Sequence, residues 1–574
     1  MCAERDVGPT AGPGAQPRER ERDRWLRATL QEMSLEQKVG QLFVAYVNGP
    51  TADTAAAENT ARFGVATPAE VVATHHLGGV IYFTWSGSAD DPAQIAALSN
   101  QLQHANAAAG NPVPLSVATD QETGQVARVG PPATVFPDAM ALGAARDPRL
   151  TRQAYAIIGE ELRAIGINTD YAPDADVNVN PANPVIGVRS FGSRPELVAD
   201  LVLAAVTGLQ QERVSATAKH FPGHGDADQD SHTSLPVITH TRQQWEQIDA
   251  PPFRAAIRAG VDAIMTAHLS FPAFEPSGDP STLSRTVLTR LLRGELGFQG
   301  VIVTDSLRME GVRTLYGDAE IAVRAIEAGA DVLLDPLQPD QQIRALIDAV
   351  RSGRLSAQRI DASVRRILIM KWNRGLIESA VVDESRIDEH VGTRGHLRAA
   401  QRITDRTTTL VTDRSELVPL PGGSVLVTGW GTRQVPQLAT GLAQHGRSVG
   451  SVVTGMAPST ATIAAAVQQA LGKDWIVVTT CSAWKDSGQR ALVAALQATG
   501  KPVLVVGLRD AYDIASLDGV GSYLATYSST AVAIESALRV ITGAKRATGR
   551  LPVDIPDPDH PETIVYPFGT GQRR

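Results

Sequence analysis

The sequence of 574 residues has little cysteine and no long apolar run. Its two cysteines, Cys2 and Cys481, cannot build a disulfide framework and neither belongs to a Cys-x-x-Cys pair, which excludes disulfide stapling and a cysteine-based metal site. No run of about 18 apolar residues occurs, so we expect no membrane-spanning helix and no membrane partner. The N-terminal segment has charges of both signs and no apolar core, unlike a signal peptide. The expected location is therefore the cytoplasm.

Positive charge is also in short supply. Lys and Arg number 53 against 61 Asp and Glu, which gives a net charge of −8 and argues against a nucleic-acid-binding protein. The composition, with 43% apolar and 20% charged residues, is that of a soluble globular protein. The 50 Gly and 35 Pro follow no period, which indicates a loop-rich enzyme rather than a fibre. The chain is too long for one hydrophobic core, so two or more domains are expected.

The first large region predicts a (β/α)₈ barrel of the TIM type over residues 23–375, after a disordered tail at residues 1–22. Ser34–Gln37 has the pattern of a capping box that opens a helix. Eight short apolar runs then alternate with helical patterns, as in βα units with a parallel sheet. The runs are Leu42–Tyr46, Val80–Phe83, Leu115–Asp120, Ile167–Tyr171, Ala216–His220, Ala263–His268, Val301–Asp305 and Asp331–Leu334.

A second α/β pattern follows a linker predicted at residues 376–410. It predicts a smaller C-terminal α/β sandwich or doubly wound domain over residues 411–574. Its predicted strands are Ser424–Thr428, Trp475–Thr480, Val503–Leu508 and Tyr523–Tyr527. Residues after about position 400 show no cluster of catalytic residue types, so the chemistry is expected in the barrel.

Polar residues stand at the ends of several predicted barrel strands, among them Asp120, His220, His268 and Asp305. The carboxyl ends of the strands of a parallel barrel form its active-site face. Solvated strand ends explain one or two such residues but not a repeated series. We therefore predict a site built from these strand ends.

The densest set of titratable residues is the loop of residues 219–232, which reads KHFPGHGDADQDSH. A calcium loop starting at Asp226 fails, because the sixth position is Ser231 rather than Gly and the twelfth is Val237 rather than Glu. A zinc site through the three histidines of the loop, His220, His224 and His232, stays open, although the first barrel strand lacks the His pair usual in barrel metallohydrolases.

Acid–base catalysis is the favoured interpretation of the same loop. Asp230 and His232 are two residues apart, so an extended backbone would point both side chains to one side. A carboxylate beside an imidazole orients the ring and raises its basicity, which suits proton delivery to a leaving group. Asp305, at the end of a buried strand, is the candidate nucleophile, and its alternative role is a helix N-cap.

Two further loops contain candidate ligands for sugar hydroxyls. Asp120 ends a strand and Arg128 lies eight residues later, an acceptor and a forked donor that suit vicinal hydroxyls. Arg189 lies near the end of the long loop of residues 176–191.

These motifs resemble those of glycoside hydrolase family 3, in its β-N-acetylhexosaminidase branch. The loop of residues 219–232 is its most specific motif, and three others match in the same order: VATDQETGQVAR at 117–128, NPANPVIGVRSFG at 180–192 and GVIVTDSLRMEG at 300–311. The segment GRLPVDIP at 549–556 is similar to the second domain of two-domain members. The chain departs from the usual Glu-Gly-Gly at Glu122-Thr-Gly124.

The resemblance implies a retaining mechanism. We expect an exo-β-N-acetylglucosaminidase that needs no metal or cofactor and acts on small carbohydrates such as muropeptide or chitin fragments. The sequence does not define the oligomeric state, for which a monomer is the expectation. The resemblance implies Asp305 as nucleophile and His232, oriented by Asp230, as acid/base. The sugar-binding positions that match are Asp120, Arg128, Arg189, Lys219 and His220. The alternatives are a β-glucosidase of the same family, a phosphorolytic enzyme favoured by a His in place of a second carboxylate, and a non-catalytic glycan-binding protein.

Overall fold

The computed structural model describes residues 15–572, and its first helix begins earlier than the sequence predicts. Helix α1 spans Ala15–Glu32, so residues 15–22 are helical rather than a disordered tail, while residues 1–14 lie outside the described part. Pro17 suits the first turn, and the run of Arg and Glu residues that follows has high helix propensity. The helix is anchored by Trp25, whose ring lies 5.3 Å from that of Trp372.

The predicted barrel is present. Its eight strands are β1 Phe43–Tyr46, β2 Gly79–Ile81, β3 Ser116–Thr119, β4 Thr169–Asp170, β5 Ser215–Phe221, β6 Ala263–Thr266, β7 Val301–Val303 and β8 Leu333–Leu334. Neighbouring strands pair in parallel in the order β8-β1-β2-β3-β4-β5-β6-β7. A parallel bridge between Val303 and Val332 brings β7 back to β8 and nearly closes the ring.

Helices surround the barrel and cover its strands. They are α2 Leu35–Gly40, α3 Ala57–Phe63, α4 Pro68–His75, α5 Pro92–Ala108, α6 Ala139–Ala145, α7 Pro148–Ala164, α8 Pro195–Gln211, α9 Arg242–Gln247, α10 Ala250–Arg258, α11 Glu310–Arg313, α12 Asp318–Ala328, α13 Pro339–Arg351 and α14 Ala357–Asn373, with a π-helix at Thr286–Glu295. The capping box predicted at Ser34 and Gln37 is formed. None of the helices within residues 15–572 is both long and apolar enough to cross a membrane.

The predicted linker is partly helical. It contains α15 Ile387–His390 and α16 Arg394–Thr404, and the latter contacts α7 through His396, whose Nδ1 lies 2.9 Å from a carboxylate oxygen of Glu161. The segment of residues 376–410 is therefore packed against the barrel.

The second domain is a six-stranded sheet with helices on both faces. Its strands are β9 Thr409–Asp413, β10 Ser424–Gly429, β11 Ser448–Val453, β12 Trp475–Thr480, β13 Val503–Gly507 and β14 Ser522–Ala525, in the order β9-β14-β13-β12-β10-β11. Only β9 is antiparallel to its neighbour. Its helices are α17 Gln434–Gln444, α18 Thr460–Leu471, α19 Ser487–Gln497 and α20 Ala531–Ile541. Four strands were predicted, and the two edge strands β9 and β11 were missed.

A core shared by both domains joins them. Met140 and Ala144 of α6 pack in one cluster with Tyr512, Leu551 and Ile555 of the C-terminal region. The carboxyl end of the barrel thus lies beside the second domain.

Candidate active site

A polar cavity of about 420 Å³ opens at the carboxyl end of the barrel strands. Seven of the eight residues predicted for the site line it: Asp120, Arg128, Arg189, Lys219, His220, His232 and Asp305. The eighth, Asp230, lies behind His232 and contacts it directly. The strand ends that the sequence indicated therefore do converge on one cavity.

Asp305 lies at the floor of this cavity, two residues after β7. Burial alone would raise the pKa of its carboxyl group, but His220, His268 and Lys219 outweigh that effect and hold the pKa below its usual value. The backbone N–H of Ser306 donates a 2.7 Å hydrogen bond to one carboxylate oxygen. Within residues 15–572, no cation forms a salt bridge with Asp305 at hydrogen-bond distance. It is thus a half-buried, ionised carboxylate whose charge is not committed to a salt-bridge partner among the described residues.

A charge network holds the neighbouring wall rigid. The Lys219 ammonium contacts Asp120 at 3.0 Å and Glu122 at 2.6 Å, and Arg189 forms a two-bond pair with Glu122, both bonds 2.8 Å. Burial would raise the pKa of Glu122, but Arg189 and Lys219 lower it well below its usual value. Burial would lower the pKa of Lys219, but Asp120 and Glu122 raise it. Two cations and two anions are thereby fixed side by side.

A second, fully buried network orients the His220 ring. Its Nδ1 lies 2.7 Å from Asp176, which also accepts the backbone N–H of His224 at 2.7 Å. Burial would raise the pKa of Asp176, but His220 lowers it, while burial and the charge of Asp176 raise the pKa of Asp174. The Nε2 of His220 therefore faces the cavity, 3.3 Å from Arg189.

The geometry does not group the three histidines of the zinc interpretation. His224 bonds to Ser231 at 2.9 Å, and burial lowers its pKa to about 4. In the described part of the chain, the residues close enough to share a metal ion are Asp174, Asp176 and His220. Two of these three already bond to each other, so the zinc site through His220, His224 and His232 is not supported.

The predicted pair of Asp230 and His232 is formed, but for a different reason. The backbone is a turn rather than an extended segment, since the Asp230 carbonyl accepts the N–H groups of Thr233 and Ser234. One Asp230 oxygen accepts both the His232 N–H at 2.8 Å and its Nδ1–H at 2.7 Å. The side chain of His232 is 61% exposed, which leaves Nε2 free toward the cavity mouth.

The mouth of the cavity also has an aromatic ledge and an arginine. The rings of Phe83 and Trp85 stack at 4.9 Å, and Tyr46 meets Trp85 edge-on at 4.5 Å. Arg308 donates to the Tyr46 hydroxyl at 2.6 Å. Arg128 lies near the same ledge, and its buried Nε has no hydrogen-bond partner within residues 15–572. Such a site offers flat apolar contact beside forked donors, a combination that suits a sugar ring.

Two family models together cover both domains. Residues 34–370 match the glycosyl hydrolase family 3 N terminal domain, and residues 408–573 match its C-terminal domain. The chain belongs to glycosyl hydrolase family 3.

Three named proteins are similar to the chain. The chain is 38% identical over 327 residues to beta-hexosaminidase A of Pseudoalteromonas piscicida, a match over 53% of this chain and 54% of that protein, about half of its length. It is 27% identical over 565 residues to a beta-N-acetylglucosaminidase/beta-glucosidase of Cellulomonas fimi, covering 92% of this chain and 95% of the other. A solved family 3 beta-N-acetylglucosaminidase from Paenibacillus sp. str. FPU-7 superposes with a TM-score of 0.84 at 40% identity, covering 91% and 99% of the two chains.

Several residues that line the cavity, or that orient side chains lining it, were not predicted from the sequence. Glu122 lines the cavity and Arg308, three residues after Asp305 in the motif of residues 300–311, lines it too, but neither was assigned to the site. Asp176, at the start of the loop of residues 176–191, does not line the cavity but orients His220, and it was not assigned either. Asp335 comes directly after β8, where burial raises its pKa to about 6 against the effect of Arg62 and Arg308. The rule that polar residues follow barrel strands would have found Asp335, whereas the pairings of Glu122 and Asp176 are visible only in three dimensions.

Proposed function

We propose that this chain is a retaining, exo-acting β-N-acetylglucosaminidase that releases terminal N-acetylglucosamine from small glycosides, such as fragments of peptidoglycan or chitin. The observation that carries the proposal is the half-buried Asp305 carboxylate, which lines a 420 Å³ cavity and whose pKa His220, His268 and Lys219 hold below its usual value. The names of the relatives, beta-hexosaminidase A and beta-N-acetylglucosaminidase, support the class of sugar.

In the first step Asp305 acts as the nucleophile. A carboxylate oxygen bonds to the anomeric carbon while the bond from that carbon to the leaving oxygen breaks. His232, in its protonated form, gives its Nε2 proton to the leaving oxygen and becomes neutral. Asp230 keeps the proton on Nδ1 and fixes the ring, because it accepts that N–H at 2.7 Å.

In the second step water releases the sugar. The neutral Nε2 of His232 accepts a proton from water as its oxygen attacks the anomeric carbon, and the ester bond to Asp305 breaks. Two inversions at the same carbon retain its configuration. The dyad then carries its proton again and Asp305 is free.

The remaining predicted residues would hold the sugar in the first subsite. Asp120 offers carboxylate oxygens, and Arg128, Arg189 and Lys219 offer fixed donors around the same space. Since Glu122 already fixes Arg189 and Lys219, these donors lose little freedom when a sugar binds.

The direct test is turnover of 4-nitrophenyl N-acetyl-β-glucosaminide by Asp305→Ala. We expect kcat to fall by about 10⁴-fold or more, because a covalent route loses its nucleophile. The matched control is Asp348→Asn on the exposed face of α13, which should keep wild-type turnover. Wild-type-like rates for Asp305→Ala would refute the nucleophile assignment. Binding without turnover in the wild-type protein would support a non-catalytic glycan-binding protein instead.

A β-glucosidase activity is the second candidate, favoured by the Cellulomonas fimi relative, whose name includes both activities and which matches 92% of this chain. We expect 4-nitrophenyl β-glucoside to be cleaved at the same site with lower kcat/KM. Parallel loss of both activities in Asp305→Ala would confirm one shared site, and residual glucosidase activity in that variant would contradict it.

A further inference from the structure

A second and larger cavity, of about 650 Å³, lies between the barrel and the C-terminal domain. The barrel wall comes from residues 178–182 and from Asp226, and the second domain contributes Trp484 and Tyr512. A C-terminal hairpin of two short antiparallel strands, Ile555–Pro556 and Ile564–Tyr566, closes the outer side with Pro558 and Ile564. This volume lies within the range of about 300–1,000 Å³ typical of small-molecule sites. None of the residues named for the catalytic cavity lines it.

The cavity contains polar atoms whose bonding capacity is unused. Asn178 is buried to 99%, its Nδ2 donates to the Tyr512 hydroxyl at 3.2 Å, and its Oδ1 has no hydrogen-bond partner within residues 15–572. The hydroxyl of Ser193 is likewise buried and without a partner there. A buried polar atom without a partner costs about 1–3 kcal/mol, so a ligand that bonds to both would recover this energy.

The charges on the cavity wall are already matched within the protein. Arg194 contacts Asp554 at 2.7 Å, and Asp226 lies 3.2 Å from His240. Hydrogen bonds to Asp226 and Asp249 raise the pKa of His240 to about 10, so this imidazole is cationic. The remaining charged residue of the wall, Asp557, has a carboxylate oxygen that accepts the backbone N–H groups of Asp559 and His560. An anionic ligand would find no unpaired cation among the residues that line the cavity, so the lining favours an uncharged ligand over an anionic one.

Aromatic faces and an amide together indicate the class of ligand. The half-buried Trp484 gives flat apolar surface and packs edge-on against the buried Tyr512, with ring centroids 6.2 Å apart, while Asn178 and Ser193 give hydrogen-bonding groups without charge. This is the chemistry that binds a sugar ring, which has an apolar face and a hydroxylated edge. We propose that the cavity between the domains is a second binding site for an uncharged saccharide, distinct from the catalytic cavity.

The cavity also contacts the loop that contains the catalytic dyad. Asn180 donates from Nδ2 to the carbonyl of Ala227 at 3.3 Å, and Asn183 donates to the carbonyl of His224 at 2.8 Å. These bonds tie the wall at residues 178–183 to the loop of residues 219–232. An occupant of the second site would therefore lie against the segment that presents His232. The identity of the sugar rests on the proposed function, whereas the existence of the site does not.

The test is calorimetric titration of the full-length protein with N-acetylglucosamine, which is not itself hydrolysed. We expect two binding events. Ala182→Trp, at an exposed position on the cavity wall, should fill the second site and weaken one event by about tenfold or more. Ala182→Ser is the matched control and should keep both events. At low substrate concentration, Ala182→Trp should hydrolyse 4-nitrophenyl N-acetyl-β-glucosaminide at the wild-type rate.

The two sites are distinguished by a reciprocal variant. Asp120→Ala should weaken the event at the catalytic cavity and leave the event that Ala182→Trp removes. A single event that Asp120→Ala removes and Ala182→Trp leaves intact would overturn the second site. A single event that Ala182→Trp removes and Asp120→Ala leaves intact would support the second site. It would also count against the catalytic cavity as an N-acetylglucosamine site.

Discussion

At the residue scale, the proposed catalysis depends on a nucleophile and an acid/base in different surroundings. Asp305 is half-buried and its pKa lies below the usual value, whereas His232 is mostly exposed at the mouth of the cavity. An ionised carboxylate held by the end of a strand is suited to bonding with carbon, and an exposed imidazole exchanges its proton readily with water. The sequence indicated both residues because each stands in a motif beside other titratable groups.

The acid role proposed for His232 makes a prediction about leaving groups. In His232→Ala, kcat/KM for an unactivated disaccharide should fall by about 10²–10⁴-fold, because its leaving oxygen needs a proton. The same parameter for a 4-nitrophenyl glycoside should change far less, since nitrophenolate leaves without protonation. Steady-state kinetics on both substrates measure the ratio. Asp230→Asn keeps the imidazole and should show a smaller difference between the two substrates in the same direction. Equal losses of kcat/KM on both substrates in His232→Ala would contradict an acid role for His232.

Not every part of the residue-scale site could be read from the chain. Asp120 and Lys219 were found because each stands at a strand end, but the contacts of Lys219 with Asp120 and Glu122 join residues about one hundred positions apart. The pair of Asp230 and His232 was found from its spacing, although a turn and not a strand brings the two together. Local pattern identifies which side chains are present, and folding decides which of them touch.

At the element scale, the alternation of apolar runs and helical patterns was enough to predict the barrel. All eight predicted runs overlap observed strands, because a strand buried on both faces must be continuously apolar. The two missed strands lie at sheet edges. Strand β11, Ser448–Val453, is largely exposed and includes Ser and Gly, and β9, Thr409–Asp413, has polar ends and pairs antiparallel. Edge strands lack the apolar signal that reveals central ones.

One lysine of α14 connects three strands at the amino end of the barrel. Lys371 is fully buried and donates to Gln41 at 2.9 Å and to the carbonyls of Gly78 and Pro114, both at 2.7 Å. These acceptors precede β1, β2 and β3 respectively, so one ammonium group links their beginnings. The amino end of such a barrel is the face opposite the catalytic site.

Replacement of this lysine should therefore reduce stability without changing the chemistry. Lys371→Met keeps the length of the side chain but leaves three buried acceptors unpaired, which should lower the free energy of unfolding by about 3 kcal/mol or more. Urea unfolding measures the loss. The control Lys38→Met removes only the outer salt bridge to Asp361 and should cost less than about 1 kcal/mol. An equal, small loss in both variants would show that the buried ammonium is not a structural link.

At the scale of the whole molecule, the junction of the two domains is fixed by close backbone contact. Gly192 has a φ of +152°, and a Cβ there would lie 2.4 Å from the carbonyl oxygen of Pro552. The N–H of Ser193 also donates to that carbonyl at 3.0 Å. The sequence predicted two domains but not this junction, because its contacts join segments some 360 residues apart.

Asp138, just before α6, gives the junction a testable pH dependence. Burial raises the pKa of its carboxyl group from 3.8 to about 6, although the N–H of Gln125, the Ser528 hydroxyl and the charge of Arg509 oppose the shift. Between these two values the native protein keeps a proton that the unfolded chain has lost. The stability contributed by this proton is present below pH 3.8 and is lost as the pH rises through 6, a change of about 3 kcal/mol.

Asp138→Asn should remove this slope. The amide is neutral at every pH, so its oxygen accepts the Gln125 N–H without the cost of a buried charge. The free energy of unfolding of the variant, relative to that of the wild type, should therefore rise by about 2–3 kcal/mol from pH 4 to pH 6.5. Urea unfolding at both pH values measures it, with Asp200→Asn on the exposed face of α8 as the control. If the free energies of unfolding of Asp138→Asn and wild type differed by the same amount at pH 4 and at pH 6.5, the carboxyl group of Asp138 would not be the group that titrates. The proton on Asp138 would then contribute no stability to the junction.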